Sequence, residues 1–100
     1  MGEFVVAAES EVPEGGAKCA SAGGVALALF KQGGKIFALT NTCPHKGGPL
    51  CDGEVDGKLV ACPLHGYQYD VTNGNCETNP ALKAKTFPTR VENGQVKVTV

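Results

Sequence analysis

Glycine-centred pairs cut this chain into short apolar runs, and that punctuation limits the fold more than any other feature. Asp56-Gly57 separates Glu54-Val55 from the run 58–61. Asn73-Gly74 separates 68–71 from 75–77, and Asn93-Gly94 separates 85–92 from 95–100. Such pairs reach positive φ at low cost and close two-residue turns whose twist suits paired strands. Gln32-Gly33-Gly34 joins the apolar runs 25–31 and 35–41 in the same way. Strands are also expected at 4–8 and 17–20, with a polar turn around Pro13 between them. The segment 22–30 is apolar enough for a helix, but Gly23-Gly24 and the hairpin that follows favour a strand. No other window sustains a helical period beyond about two turns. The last run, Val96-Lys97-Val98-Thr99-Val100, alternates and should bury one face only. One hundred residues allow one domain, 1–100,. The expected architecture is all-β: an antiparallel β-sandwich or barrel with Greek-key-like returns.

Two loops carry the chemistry. Cys43-Pro44-His45-Lys46-Gly47-Gly48-Pro49 offers one thiol and one imidazole, and so does Cys62-Pro63-Leu64-His65-Gly66. Sixteen residues separate His45 from Cys62, enough for one hairpin that would bring the loops together as two fingertips. Their glycines and prolines make tight turns whose backbone can approach a compact inorganic group. Two soft thiolates with two imidazoles suit zinc, or iron with sulfide. Zinc fingers usually set two cysteines in one knuckle and two histidines in another. Mixed loops make sense if two irons are held, one by the cysteines and one by the histidines, as in Rieske [2Fe–2S] centres.

Cys43-Pro44-His45-Lys46-Gly47-Gly48-Pro49-Leu50 and Cys62-Pro63-Leu64-His65-Gly66-Tyr67-Gln68-Tyr69-Asp70 resemble the two cluster-binding boxes of the Rieske family, most of all its small soluble ferredoxins. The resemblance extends weakly over nearly the whole chain, through Val12-Pro13-Glu14-Gly15 and Asn79-Pro80. It implies two larger sheets as a base and a small cluster-binding subdomain at about 42–80. It implies a [2Fe–2S] cluster held by Cys43, His45, Cys62 and His65, each histidine through the ring nitrogen nearer the backbone. Imidazoles in place of two thiolates ease addition of an electron, so the potential lies above that of an all-cysteine cluster.

Further residues take roles from the same resemblance. Respiratory Rieske proteins carry a disulfide between positions that here are Gly48 and Leu64, so that brace is missing. Their serine is Tyr67 here, which loses a hydroxyl-to-sulfide bond. Tyr69 falls where they have a potential-raising tyrosine. A low-to-middle potential is therefore expected. Asn79-Pro80-Ala81-Leu82 resembles the loop that covers the cluster, with Pro80 stiffening it. Lys46 and the acidic trio Asp52, Glu54 and Asp56 flank the first box and would steer a redox partner, or else form plain solvated surface.

The implied function is one-electron transfer from a flavoprotein reductase to a terminal oxygenase or similar enzyme. The competing readings are a small subunit of an assimilatory nitrite reductase, and a zinc-stabilised binding module. Only two histidines are present, both in the boxes, so no second iron site of two histidines and a carboxylate can be built,. The chain is thus expected to be a carrier, not an enzyme. Nine basic and ten acidic residues nearly cancel, which speaks against nucleic acid as a partner,. The N-terminus reads as a first strand rather than a signal peptide, and no stretch approaches membrane-spanning length, so a cytoplasmic location is expected. Cys19, Cys51 and Cys76 are left over. An odd number does not resemble a disulfide framework, and all three are expected to be small buried hydrophobes, with Cys51 near the cluster.

Overall fold

The computed structural model describes residues 2–42, 49–63 and 66–100. Among the described residues, ten strands form three antiparallel sheets. Strands β1 (Glu3–Ala8), β2 (Ala17–Ala22), β3 (Val25–Gln32) and β4 (Lys35–Thr40) come first. Strands β5 (Glu54–Asp56), β6 (Leu59–Ala61) and β7 (Gln68–Asp70) follow, then β8 (Thr86–Phe87), β9 (Thr89–Glu92) and β10 (Gln95–Thr99). The sheet orders are β1-β10-β9, β2-β3-β4-β8 and β5-β6-β7. Two single 3-10 turns, Glu9–Glu11 and Leu50–Asp52, are the only helical segments among the described residues. Among the described residues, no helix is long and apolar enough to cross a membrane.

The turns at Gly33-Gly34, Gly57 and Asn93-Gly94 close three of the expected hairpins. Asn93 at φ 53° and Gly94 at φ 73° join β9 to β10, the geometry that Asn-Gly favours,. In β10 only Val96 and Val98 are fully buried, as its alternation requires.

Strand β3 explains why the four-stranded sheet is the middle layer. Its residues 27–30 are all fully buried. Leu27 and Leu29 pack with Val12, Ile36, Val96 and Val98 against the three-stranded sheet that holds β1. Ala28 and Phe30 point the other way, into a second core with Leu39, Leu50, Val60, Cys62 and Tyr69. A strand covered on both sides must be apolar at successive positions, which is why 25–31 reads as an unbroken run rather than an alternating one.

Three expectations need correction. The run 85–92 is two strands, not one. Pro88 has no N–H to give to a ladder, and the chain changes sheets there,. Strand β8 pairs with β4 and β9 with β10, while the Pro88 carbonyl accepts from Thr99 N–H at 3.0 Å. Residues 75–77 form no strand; Cys76 and Asn75 make isolated bridges to Tyr69 and Lys83. Finally, Cys19 and Cys51 are not separate buried hydrophobes. Cys19 is exposed on β2 and bonded to Cys51 as a disulfide, with Cα atoms 4.9 Å apart. Cys76 is buried, as expected.

Candidate metal centre

The stem of the first loop is built around Asn41. Its N–H donates to the Ala26 carbonyl at 3.0 Å, which fixes it to β3. Its carbonyl accepts from Leu50 N–H at 2.8 Å. Its side-chain Oδ1 accepts from Cys51 N–H at 2.8 Å. A bridge between Thr42 and Pro49 completes the closure. One asparagine therefore ties together the two ends of the loop. Cys43, His45, Lys46 and Gly48 lie beyond this closure and outside the described residues. After it, the 3-10 turn drops the fully buried Leu50 into the core beside Phe30 and Val60.

The second loop connects β6 to β7. Cys62 directly follows β6 and is 2% exposed. Its N–H donates to the Tyr67 carbonyl at 2.7 Å, and its carbonyl accepts from Gly66 N–H at 2.9 Å. This short closure needs Gly66 at φ 71°,. Leu64 and His65 lie outside the described residues. Tyr69 is fully buried in the same core as Cys62 and Cys51, and Tyr67 is half-buried against it. The turn at 79–82 is held by Leu82 N–H to the Asn79 carbonyl at 3.0 Å and by Asn79 N–H to Cys76 Sγ at 3.3 Å. It is anchored to β7, because Gln68 accepts from Glu77 N–H and donates to Thr78 Oγ1. Pro80 sits exposed at its tip.

The two loop stems meet. The open cleft beside Cys62 is lined by Asp52, Gly53 and Glu54 from the exit of the first loop, and by Ala61, Cys62, Pro63 and Gly66. Glu54 pairs with Ala61 in the β5–β6 ladder, so the first loop's exit lies against the residue that precedes Cys62. A buried sulfur donor at a cleft whose backbone is pinned on both sides fits a compact, soft-ligated metal group. Asp52 and Glu54 are exposed at its edge and Asp56 is exposed at the far end of β5, as expected.

Four features of this region carry little sequence signal. Asn41 and Gly53 look like ordinary loop residues, and the disulfide joins positions 32 apart. Asp70 is the fourth. Its carboxylate is almost fully buried at the end of β7. Burial works against the charge, but Thr72 donates to Oδ1 from both its hydroxyl and its N–H, and the Lys58 ammonium lies 3.4 Å from Oδ2. Together these hold the Asp70 carboxyl below the usual carboxylate range,. A folded-state value below the unfolded one adds stability that is complete above the unfolded value and is lost as pH falls through the folded one. Below pH about 4, the urea midpoint of the native chain should therefore fall more steeply than that of Asp70→Asn. Parallel curves would show that the carboxylate is not held in this way. Asp70-Val71-Thr72 was the available hint, since an aspartate two residues before a threonine commonly caps its own turn.

The profile of the Rieske [2Fe-2S] domain matches residues 2–97. The chain is 34% identical over 87 residues to the ferredoxin component of the naphthalene 1,2-dioxygenase/salicylate 5-hydroxylase systems of a Ralstonia species, covering 86% of this chain and 84% of that one. Among solved structures, the Sphingomonas yanoikuyae B1 ferredoxin superposes with a TM-score of 0.90 at 28% identity, over 99% of both chains. A chain from the complex of reduced oxygenase and oxidised ferredoxin in carbazole 1,9a-dioxygenase superposes at 0.88 and 28% identity, over 97% of this chain and 92% of that one. Three stacked antiparallel sheets, two pinned loop stems and a profile match along nearly the full length agree, and this chain belongs to the Rieske [2Fe–2S] domain family.

Proposed function

We propose that this protein is a one-electron carrier that takes an electron from a flavoprotein reductase and delivers it to a terminal oxygenase. The observation that carries the reading is the meeting of the two loop stems at the buried Cys62, in a chain whose relative serves a dioxygenase system as its ferredoxin. Cys43 and Cys62 would hold one iron, and His45 and His65 the other. When bound, the [2Fe–2S] group supplies a single reversible electron. The protein's own part is to hold the donors, exclude water and expose an edge to the partner. Cys62 shares one buried apolar core with Leu50 and Tyr69, which keeps water from its inner side. The segment 42–80 acts as the cluster-binding part of a single 1–100 unit. The carrier works in the cytoplasm and performs no substrate chemistry of its own. Its contacts with partners are small and transient.

The test is an electron paramagnetic resonance spectrum of the dithionite-reduced protein. A low average g, as mixed nitrogen and sulfur ligation gives, supports the reading. A four-sulfur spectrum, or a colourless protein containing zinc, overturns it. Stable copurification with a large sirohaem enzyme would instead mark a nitrite reductase subunit.

Tyr69 tunes the potential in this reading. A hydroxyl hydrogen bond worth about 1 kcal/mol corresponds to about 40 mV for one electron. Tyr69→Phe should lower the midpoint by about that amount in a redox titration. An unchanged midpoint would remove Tyr69 from this role. Tyr67, half-buried at the loop's exit, and Pro80, at the tip of the neighbouring turn, are assigned smaller effects.

A further inference from the structure

We propose that the Cys19–Cys51 disulfide is a thiol-exchange site, opened at the Cys19 sulfur by a small dithiol, and that the closed bond braces the stem of the first ligand loop. Hydrogen bonds from Asn41 to Leu50 and Cys51, with the Thr42–Pro49 bridge, join the ends of the loop to each other, and Asn41 N–H ties its entry to β3. The disulfide fastens its exit, the 3-10 turn Leu50–Asp52, to β2, an edge strand of the middle sheet. Opening it leaves the loop closed on itself but covalently released from that edge.

The two sulfurs face different surroundings. Cys51 is 8% exposed and Cys19 is open to solvent. An attacking thiolate therefore meets the Cys19 sulfur first. Its attack forms a mixed disulfide at Cys19 and releases the Cys51 sulfur, which takes up a proton. The dithiol's second sulfur then displaces Cys19, which takes up the second proton. Two electrons and two protons pass from the dithiol to the protein, and the reagent leaves as a cyclic disulfide. A disulfide with one sulfur exposed belongs to the labile kind rather than the inert kind.

Asp52 biases this exchange. Its Oδ1 lies 3.8 Å from Cys19 Sγ. In the closed form the sulfur has no proton, so this is a bare contact. In the open form the Cys19 thiol can donate to the carboxylate. The same negative charge opposes an approaching thiolate, so the site opens more slowly to thiols that carry a further negative charge than to those whose thiolate is the sole charge.

The test uses the intact protein under anaerobic conditions, alkylated with iodoacetamide before and after dithiothreitol and mapped by peptide mass. Before reduction the Cys19 and Cys51 peptides should be linked and unlabelled. Afterwards both should carry label, and the Leu50 and Cys51 amides should exchange hydrogen at least threefold faster. 2-Mercaptoethanol should be trapped on Cys19 and not on Cys51, and Asp52→Asn should speed opening by dithiothreitol several-fold at low salt. Label on Cys19 without reductant, trapping on Cys51, or exchange rates unchanged on reduction would each overturn the proposal. Cys19→Ser should exchange at the reduced rate; retention of the unreduced rate would sink the bracing role. None of these readouts requires that the metal group be present, so failure here is distinct from failure of the electron-carrier reading.

Discussion

Cys62→Ala leaves a protein with under about a tenth of the native iron and acid-labile sulfide, and with no signal after dithionite reduction. In the proposed ligand set one donor of four would be gone, and the remaining sulfur would not hold its iron alone. The loss should reach stability as well, because binding free energy of such a group is also folding free energy. The control is Cys76→Ala. That sulfur is equally buried, accepts a hydrogen bond from Asn79 N–H and lies outside the proposed ligand set. Removing it costs about 1 kcal/mol and leaves the colour intact. Iron and sulfide assays on both variants decide the matter: equal losses would deny Cys62 its ligand role.

The second large effect lies at Gly53. Its backbone has an ordinary extended conformation, so strain in φ is not the reason for glycine there. The reason is space. A Cβ at 53 would collide with the carbonyl oxygen of Ala61 and lie 3.1 Å from Val60 Cγ2. Ala61 is rigid backbone inside the β5–β6 ladder and directly precedes Cys62. Gly53→Ala should cost about 3 kcal/mol and lower metal content, since relief of the clash must shift Cys62 away from the exit of the first loop. Gly57→Ala is the comparison. It sits at φ 61° with open space around it, so its cost is conformational, about 1 kcal/mol, and its metal content should be native,. Urea midpoints and iron content for the pair separate the two effects. A Gly53→Ala protein with native iron would show that the contact does not position the donor.

Hairpins were legible because their turns are local. Asn93-Gly94 and Gly33-Gly34 announce themselves within two residues, and the ladders beside them follow. What escaped depends on partners distant in sequence. Pro88 breaks one apolar run between two sheets, and only the neighbouring strands β4 and β10 reveal it. Cys19 and Cys51 have no shared signature, and an odd cysteine count argued against pairing them. The donor types proposed for the centre come from two short boxes. The backbone that aims them was not legible there, because Asn41, Gly53 and Gly66 owe their importance to a carbonyl or an amide that lies across the stem.

Because β3 is covered on both sides, neighbouring letters along it answer to separate compartments. Leu27 and Leu29 serve the half away from the centre, and Ala28 and Phe30 serve the half that contains it. A substitution scan along 27–30, scored by eye for pigment and by melting for robustness, should beat with a two-residue rhythm. Every position would matter to melting, but only the even-numbered ones would bleach the protein.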